Sequence, residues 1–180
     1  MVILTPETGL APKALQAYPK GVLTIIVLPK WYTARDPIRQ GFVRKAGVMK
    51  DTGNNILSRR EYGVHIADEA LLHPLHESAE EHPPEVSEVE LLGLDVIPSD
   101  FIDVPRLAAP PVAMECRLHQ SIAFGVTGSE FMVGEVLAFH LREGLARDFK
   151  VDTLALNPVC RLGGPNYATL GRIVTLRAVS

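Results

Sequence analysis

Cysteine is scarce in this 180-residue chain: Cys116 and Cys160 are the only two, far apart and without CxxC spacing. No metal cage or disulfide framework is therefore supported. Each sits among apolar neighbours, where a small core filler is expected. Aromatic residues make up 6% of the chain, and no recognition motif is visible, so nucleic-acid binding is not expected. Long hydrophobic runs are missing too. The longest apolar run, residues 22–29, is too short to cross a bilayer. The start lacks a basic leader, an apolar core and a small-residue cleavage site, so a cytoplasmic, reducing setting is expected. No GxGxxG, GxxxxGK(S/T) or GxSxG string occurs. Those absences remove support for a dinucleotide-binding Rossmann unit, a phosphate-binding P-loop and an α/β-hydrolase nucleophile.

What is present suits one globular domain over residues 1–180, with 47% hydrophobic and 22% charged residues. The formal net charge is −3, which calls for neither nucleic acid nor an anionic membrane. Charge is uneven, however. Residues 1–60 hold ten Lys/Arg and three Asp/Glu, while residues 61–180 hold eight and eighteen. A basic site for an anionic ligand produces such a split; so do two differently solvated surfaces.

Residues 22–28 form a β-rich run of buried-strand length. Residues 31–49 are basic and read as loop, with at most a short strand at 41–43. A helix is expected to start at Lys50-Asp51-Thr52, capped by Asp51 or Thr52, with Ile56 and Leu57 as its apolar face. Residues 62–67 alternate and suit a strand. Residues 73–87, rich in Glu and Pro, read as a solvated excursion, and 86–94 as a short helix. A Pro-rich extended connector is expected over 97–111. Residues 112–124 and 131–141 are strong strand candidates joined by a hairpin-like connection at 125–128, and 173–179 reads as a last strand. Strands with only short helical pieces favour a mainly β protein, a β-barrel with short helices, over an alternating βαβ chain.

Four constellations carry chemistry. Lys50, Thr52 and the backbone N–H groups of a helix start make an anion site; an ordinary capped helix with an exposed Lys has the same sequence. Arg161-Leu162-Gly163-Gly164-Pro165-Asn166-Tyr167 offers a charge, a ring and paired glycines that let backbone approach a flat ligand; a tight loop closing a barrel end reads alike. His73, His76 and His82 lie among Glu77, Glu80 and Glu81. Pro74 is expected to spoil the helix that would align an HxxH metal pair, so a plain exposed segment is favoured and no metal is assigned. His140, on an alternating strand, lines a cavity or is a satisfied structural histidine; His65 and His119 have the same bland reading. Trp31 and Tyr32, beside Lys30 and Arg35, offer a stacking surface for a planar ring, or a boundary aromatic cluster.

Taken in order, six stretches resemble the flavin reductase-like family of FMN-binding split barrels. They are Lys50 to Ile56, Glu88 to Leu94, Pro105 to Ala108, Met114 to Leu118, Val133 to His140, and Val159 to Tyr167. The resemblance covers residues 50–171. It implies a split β-barrel that pairs into a homodimer, with FMN near the subunit interface and NADH or NADPH as electron donor. Lys50 and Thr52 would contact the FMN phosphate region, and Asn55 would support that turn. Arg161, Gly163, Gly164 and Tyr167 would form a wall near the flavin, and His140 is a further carry-over. No catalytic acid or base is assigned. Reduced flavin would pass to an oxygenase or another electron acceptor. Residues 1–49 depart from the family, which opens with an Arg-Pro-led strand and a Pro-Phe-Ser-like segment; Pro29 to Thr33 occupies that place, with Lys30 where a Ser is expected. A shifted reading frame before Lys50 would account for both this departure and the basic excess. Two other readings stay open: a non-catalytic FMN-binding electron carrier, and a degenerate barrel without flavin that acts as an interaction domain.

Overall fold

The computed structural model describes residues 2–6, 21–25, 44–45, 48–80, 82–83, 86–124, 129–148 and 150–177. Their strands are β1 (Val2–Pro6), β2 (Gly21–Ile25), β3 (Arg44–Lys45), β4 (Val48–Met49), β5 (Glu61–Ile66), β6 (Val96–Ile97) and β7 (Arg106–Leu107). The longest follow as β8 (Val112–Phe124) and β9 (Ser129–Leu141), and the chain continues with β10 (Ala146–Arg147), β11 (Lys150–Val151), β12 (Cys160–Gly163) and β13 (Asn166–Ala168). The helices are short: α1 (Asp51–Arg59), α2 (Leu72–Glu77) behind a 3-10 turn at Glu69–Leu71, α3 (Glu88–Leu91) and α4 (Thr153–Leu156). The fold is mainly β with short helices, as the strand-and-turn pattern predicts.

β8 is the central strand of a three-stranded antiparallel sheet, order β5-β8-β9. Its first half is buried on both faces, from Val112 to Cys116; beyond it Leu118 is buried while Arg117, His119 and Gln120 are exposed. β9 alternates cleanly: Met132, Gly134, Val136 and Ala138 face inward. Two register shifts, between Glu115 and Cys116 and between Leu118 and Gln120, bend the pair; such bulges increase local twist. Met114, Cys116 and Val136 form one core cluster with Tyr62, Val64, Ile66 and Phe139 around it. Ile56, Leu118 and Met132 form a second, against Met49 and Tyr62. Tyr62 thus joins the two, and α1 is anchored to the sheet through Ile56.

Several expectations change. Residues 97–111 are no bare connector: β6 and β7 pair antiparallel within them, Val96 to Leu107 and Ile97 to Arg106. No strand forms over 173–177, the described part of the expected final strand at 173–179. Residues 171–177 carry no regular structure, and Ile173, Val174 and Leu176 are exposed, because no described strand lies beside them to take up their ladder bonds. Pro74 does not spoil α2; it lies in the helix's first turn, where its missing N–H has no intrahelical acceptor to lose. Residues 1–20 also hold a strand, since β1 pairs with β2. Cys116 is fully buried, as expected, but Cys160 is exposed, so it is no core filler. The readings at 26–28, 31–43 and 125–128 lie outside the described residues.

Candidate functional site

α1 begins differently from its expected cap. Lys50, not Asp51 or Thr52, occupies the N-cap with extended backbone, and its own side chain makes no capping hydrogen bond. Asn54 N–H donates to Lys50 O at 3.0 Å. That is the first helical bond, so the N–H groups of Asp51, Thr52 and Gly53 have no intrahelical acceptor. Gly53 and Ile56 are the buried positions; Leu57 is exposed, because it is turned one residue past the Ile56 contact. Thr52 and Asn55 are exposed beside Lys50. Asp51 places one negative charge in the same turn, which complements the helix dipole and opposes an incoming anion.

The Arg161–Tyr167 stretch is a hairpin. Arg161 and Tyr167 are cross-strand partners of β12 and β13. Gly163 and Gly164 take φ of 131° and 56° at the bend, a region side chains avoid. Arg161 Nε donates to Gly164 O at 3.2 Å, and its guanidinium carbon lies 5.7 Å from the Tyr167 ring centroid, a cation–π distance. The four expected hairpin residues are therefore gathered in one place. His76 joins them: its Nδ1 lies 3.2 Å from Tyr167 Oη, and the two rings meet edge to face.

His140 lies elsewhere, on β9, in a buried polar group. Its Nε2 is 2.6 Å from Glu115 Oε1. Glu115, 1% exposed, also accepts from Asp100 N–H at 2.8 Å and Phe101 N–H at 2.7 Å. Burial opposes its charge, but the two backbone N–H groups and His140 outweigh that and hold its carboxyl below the usual range. Asp100, Glu115 and His140 each bring one ligand atom to within 4.8 Å of the others, yet both Glu115 oxygens already have partners. His140 thus does not line an open cavity by itself; it ties β9 to β8 and, through Glu115, to the 100–101 turn. His65 is likewise satisfied: its Nε2 accepts from Leu107 N–H at 3.0 Å. His119 is exposed. Trp31 lies outside the described residues.

The α1 start and the hairpin stand on separate elements, with His140 on a third. A family model described as the flavin reductase like domain matches residues 35–156. The chain belongs to the flavin reductase-like family. A protein of Halalkalibacterium halodurans is 37% identical over 134 residues, which span 72% of this chain and 64% of the relative. The chain thus spans less than two thirds of that relative's length. Nitrilotriacetate monooxygenase component B from Bacillus cereus is 38% identical, with a TM-score of 0.70 over 74% of this chain and 68% of that structure. A protein with a split barrel domain from Shewanella frigidimarina, 19% identical, superposes with a TM-score of 0.66 over 71% of this chain and 65% of its own. The fold of this flavin reductase-like chain is accordingly the split barrel. The α1 start and His140 fall inside the family match; the hairpin lies just beyond it.

Two arrangements escaped sequence reasoning: the burial of Glu115 and the His76–Tyr167 contact. Glu115 alternates in sequence with Met114 and Cys116, so one of these faces should meet solvent; the bulge after Glu115 and the cover on both faces bury it instead. His76 sits 91 positions from Tyr167, and no local signal links them.

Proposed function

We propose that this flavin reductase-like protein binds FMN and reduces it with NADH or NADPH. The observation that carries the reading is the α1 start, inside the family-matched residues: a helix end headed by Lys50 whose first three N–H groups have no intrahelical acceptor. Its donor set fits a phosphate monoester: three backbone N–H groups without an intrahelical acceptor, the Thr52 hydroxyl and the positive charge of Lys50. Asn55 supports that turn. Arg161, Gly163, Gly164 and Tyr167 fit a planar ring, because the glycines leave no side chain in the way and Tyr167 supplies a stacking face. His140 acts away from these elements, by holding Glu115. Trp31 remains a candidate ring contact.

FMN would supply the redox chemistry, taking up two electrons and passing them on. The chain's own residues bind the phosphate, orient the ring and limit solvent; none is assigned a proton. The similarity to a monooxygenase component suggests an oxygenase as acceptor of the reduced flavin. A homodimer fits the exposed apolar residues Leu162, Ile173, Val174 and Leu176, which a second copy would cover. A cytoplasmic setting fits two free cysteines. Among the described residues no helix is long and apolar enough to cross a membrane.

The deciding experiment mixes the purified chain with FMN, desalts it, records the visible spectrum, and then follows NADH and NADPH oxidation with FMN present. Retained flavin bands and nicotinamide oxidation are expected. A yellow protein that oxidises neither nicotinamide would be an electron carrier. A colourless protein that shows no binding on titration would remove flavin from the reading.

A further inference from the structure

α2 buries no residue fully; only Leu72 and Pro74 are half-buried. Contacts between the residues just before it and the stretch leading into the hairpin help set its position. Val159 N–H donates to Ala67 O at 3.1 Å, Asp68 bridges Pro158, and Asn157 Nδ2 donates to Glu69 Oε2 at 2.9 Å. These three links run antiparallel in register and deliver α2 beside the hairpin. The fourth link is His76 to Tyr167.

We propose that His76 is a positioning residue: it fixes the Tyr167 ring as a preformed wall of the flavin site. This rests on the flavin reading above. A two-stranded hairpin is marginal on its own, and a half-exposed tyrosine on it would sample several rotamers. Here the hydroxyl is tied by His76 and one ring face is covered by Arg161, whose Nε is itself tied to Gly164 O. Both ends of the ring's freedom are thereby removed before a ligand arrives, which lowers the ordering cost of binding. Among the described residues no carboxylate pairs with Arg161, so its Nη groups stay available to an anionic ligand beside the ring. His76 touches Tyr167 and has no role in the redox step.

The test is FMN titration of the full chain and of His76→Leu, His76→Asn, Tyr167→Phe and the His76→Leu/Tyr167→Phe double variant, with thermal midpoints alongside. His76→Leu and Tyr167→Phe should each weaken FMN by about three- to tenfold, the size of one lost hydrogen bond. The double variant should be no weaker than either single, because both remove the same bond. His76→Asn, which keeps a polar atom near the Nδ1 position, should stay within about twofold of the unsubstituted chain. Thermal midpoints should not move, since His76 is exposed. An unsubstituted chain that binds FMN while His76→Leu titrates identically would overturn the positioning role and leave the flavin reading standing. The positioning role falls in the same way if His76→Leu lowers the midpoint together with affinity and His76→Asn restores neither. If the unsubstituted chain takes up no FMN, the flavin reading fails and this inference fails with it.

Discussion

Tyr62 shows how one side chain constrains another. A Cβ built on Gly134 would meet Tyr62 Oη in hard overlap and lie 2.8 Å from its Cζ. The phenol lies across the space where a β9 side chain would stand, and Tyr62 packs against both core clusters. Gly134→Ala should therefore destabilise the fold by about 1–3 kcal/mol, the range for overpacking a filled core; urea denaturation measures it, and an unchanged midpoint would mean Tyr62 swings aside freely. Glu115 makes a second case. Its folded pKa lies below its ordinary 4.5. Between the folded and ordinary values the unfolded chain binds more protons, so stability rises with pH there. The Glu115 contribution is complete above about 4.5 and is lost as pH falls through the folded value. Glu115→Gln should cost about 1–3 kcal/mol at neutral pH, the range for a buried charge-assisted acceptor, and should flatten the acid limb of the stability profile. An acid limb as steep as that of the unsubstituted chain would assign it to other groups. His65 acts in the same direction: burial and then Arg106 lower its pKa from 6.5, so its contribution erodes as pH drops below that value.

At the scale of elements, alternation made β9 readable, because a strand with one covered face repeats every two residues; β8 shows it less, its first half being buried on both faces. The apolar run at 173–179, expected as a last strand, forms none over its described residues 173–177, since such a run makes a strand only where a neighbour offers a ladder. α1 was legible from its start signals, yet its cap was not. Lys50 takes the N-cap and its own side chain makes no capping hydrogen bond, a cost of roughly 1 kcal/mol relative to a Ser or Asp cap. A helix end whose first N–H groups have no intrahelical acceptor suits an anion. Lys50→Ala should weaken FMN by on the order of 1–3 kcal/mol if its ammonium meets the phosphate. An isothermal titration giving the same dissociation constant for both proteins would take Lys50 out of the site.

Over the whole molecule, the exposed apolar residues of β12 and the 173–177 tail stand out against an otherwise ordinary composition. The chain is expected to sediment as a dimer, and Leu162→Asp to shift it toward monomer, since a charge in a covered apolar face is costly. A monomer in both cases would leave those residues to another partner. The sequence's basic excess lies mainly before residue 50, largely outside the described residues.

By itself, the sequence determined the β-rich class, the two long central strands, the α1 start and the glycine bend between Arg161 and Tyr167. These are local matters, set by side-chain periodicity and by the backbone freedom of neighbouring residues. Only the tertiary structure decided that Glu115 is buried with His140, that Tyr62 fills the place above Gly134, and that His76 reaches Tyr167. Each of those pairs is separated by tens of residues, and contacts across such distances depend on sheet register and bulges, which leave no periodic trace in either partner's own stretch of chain.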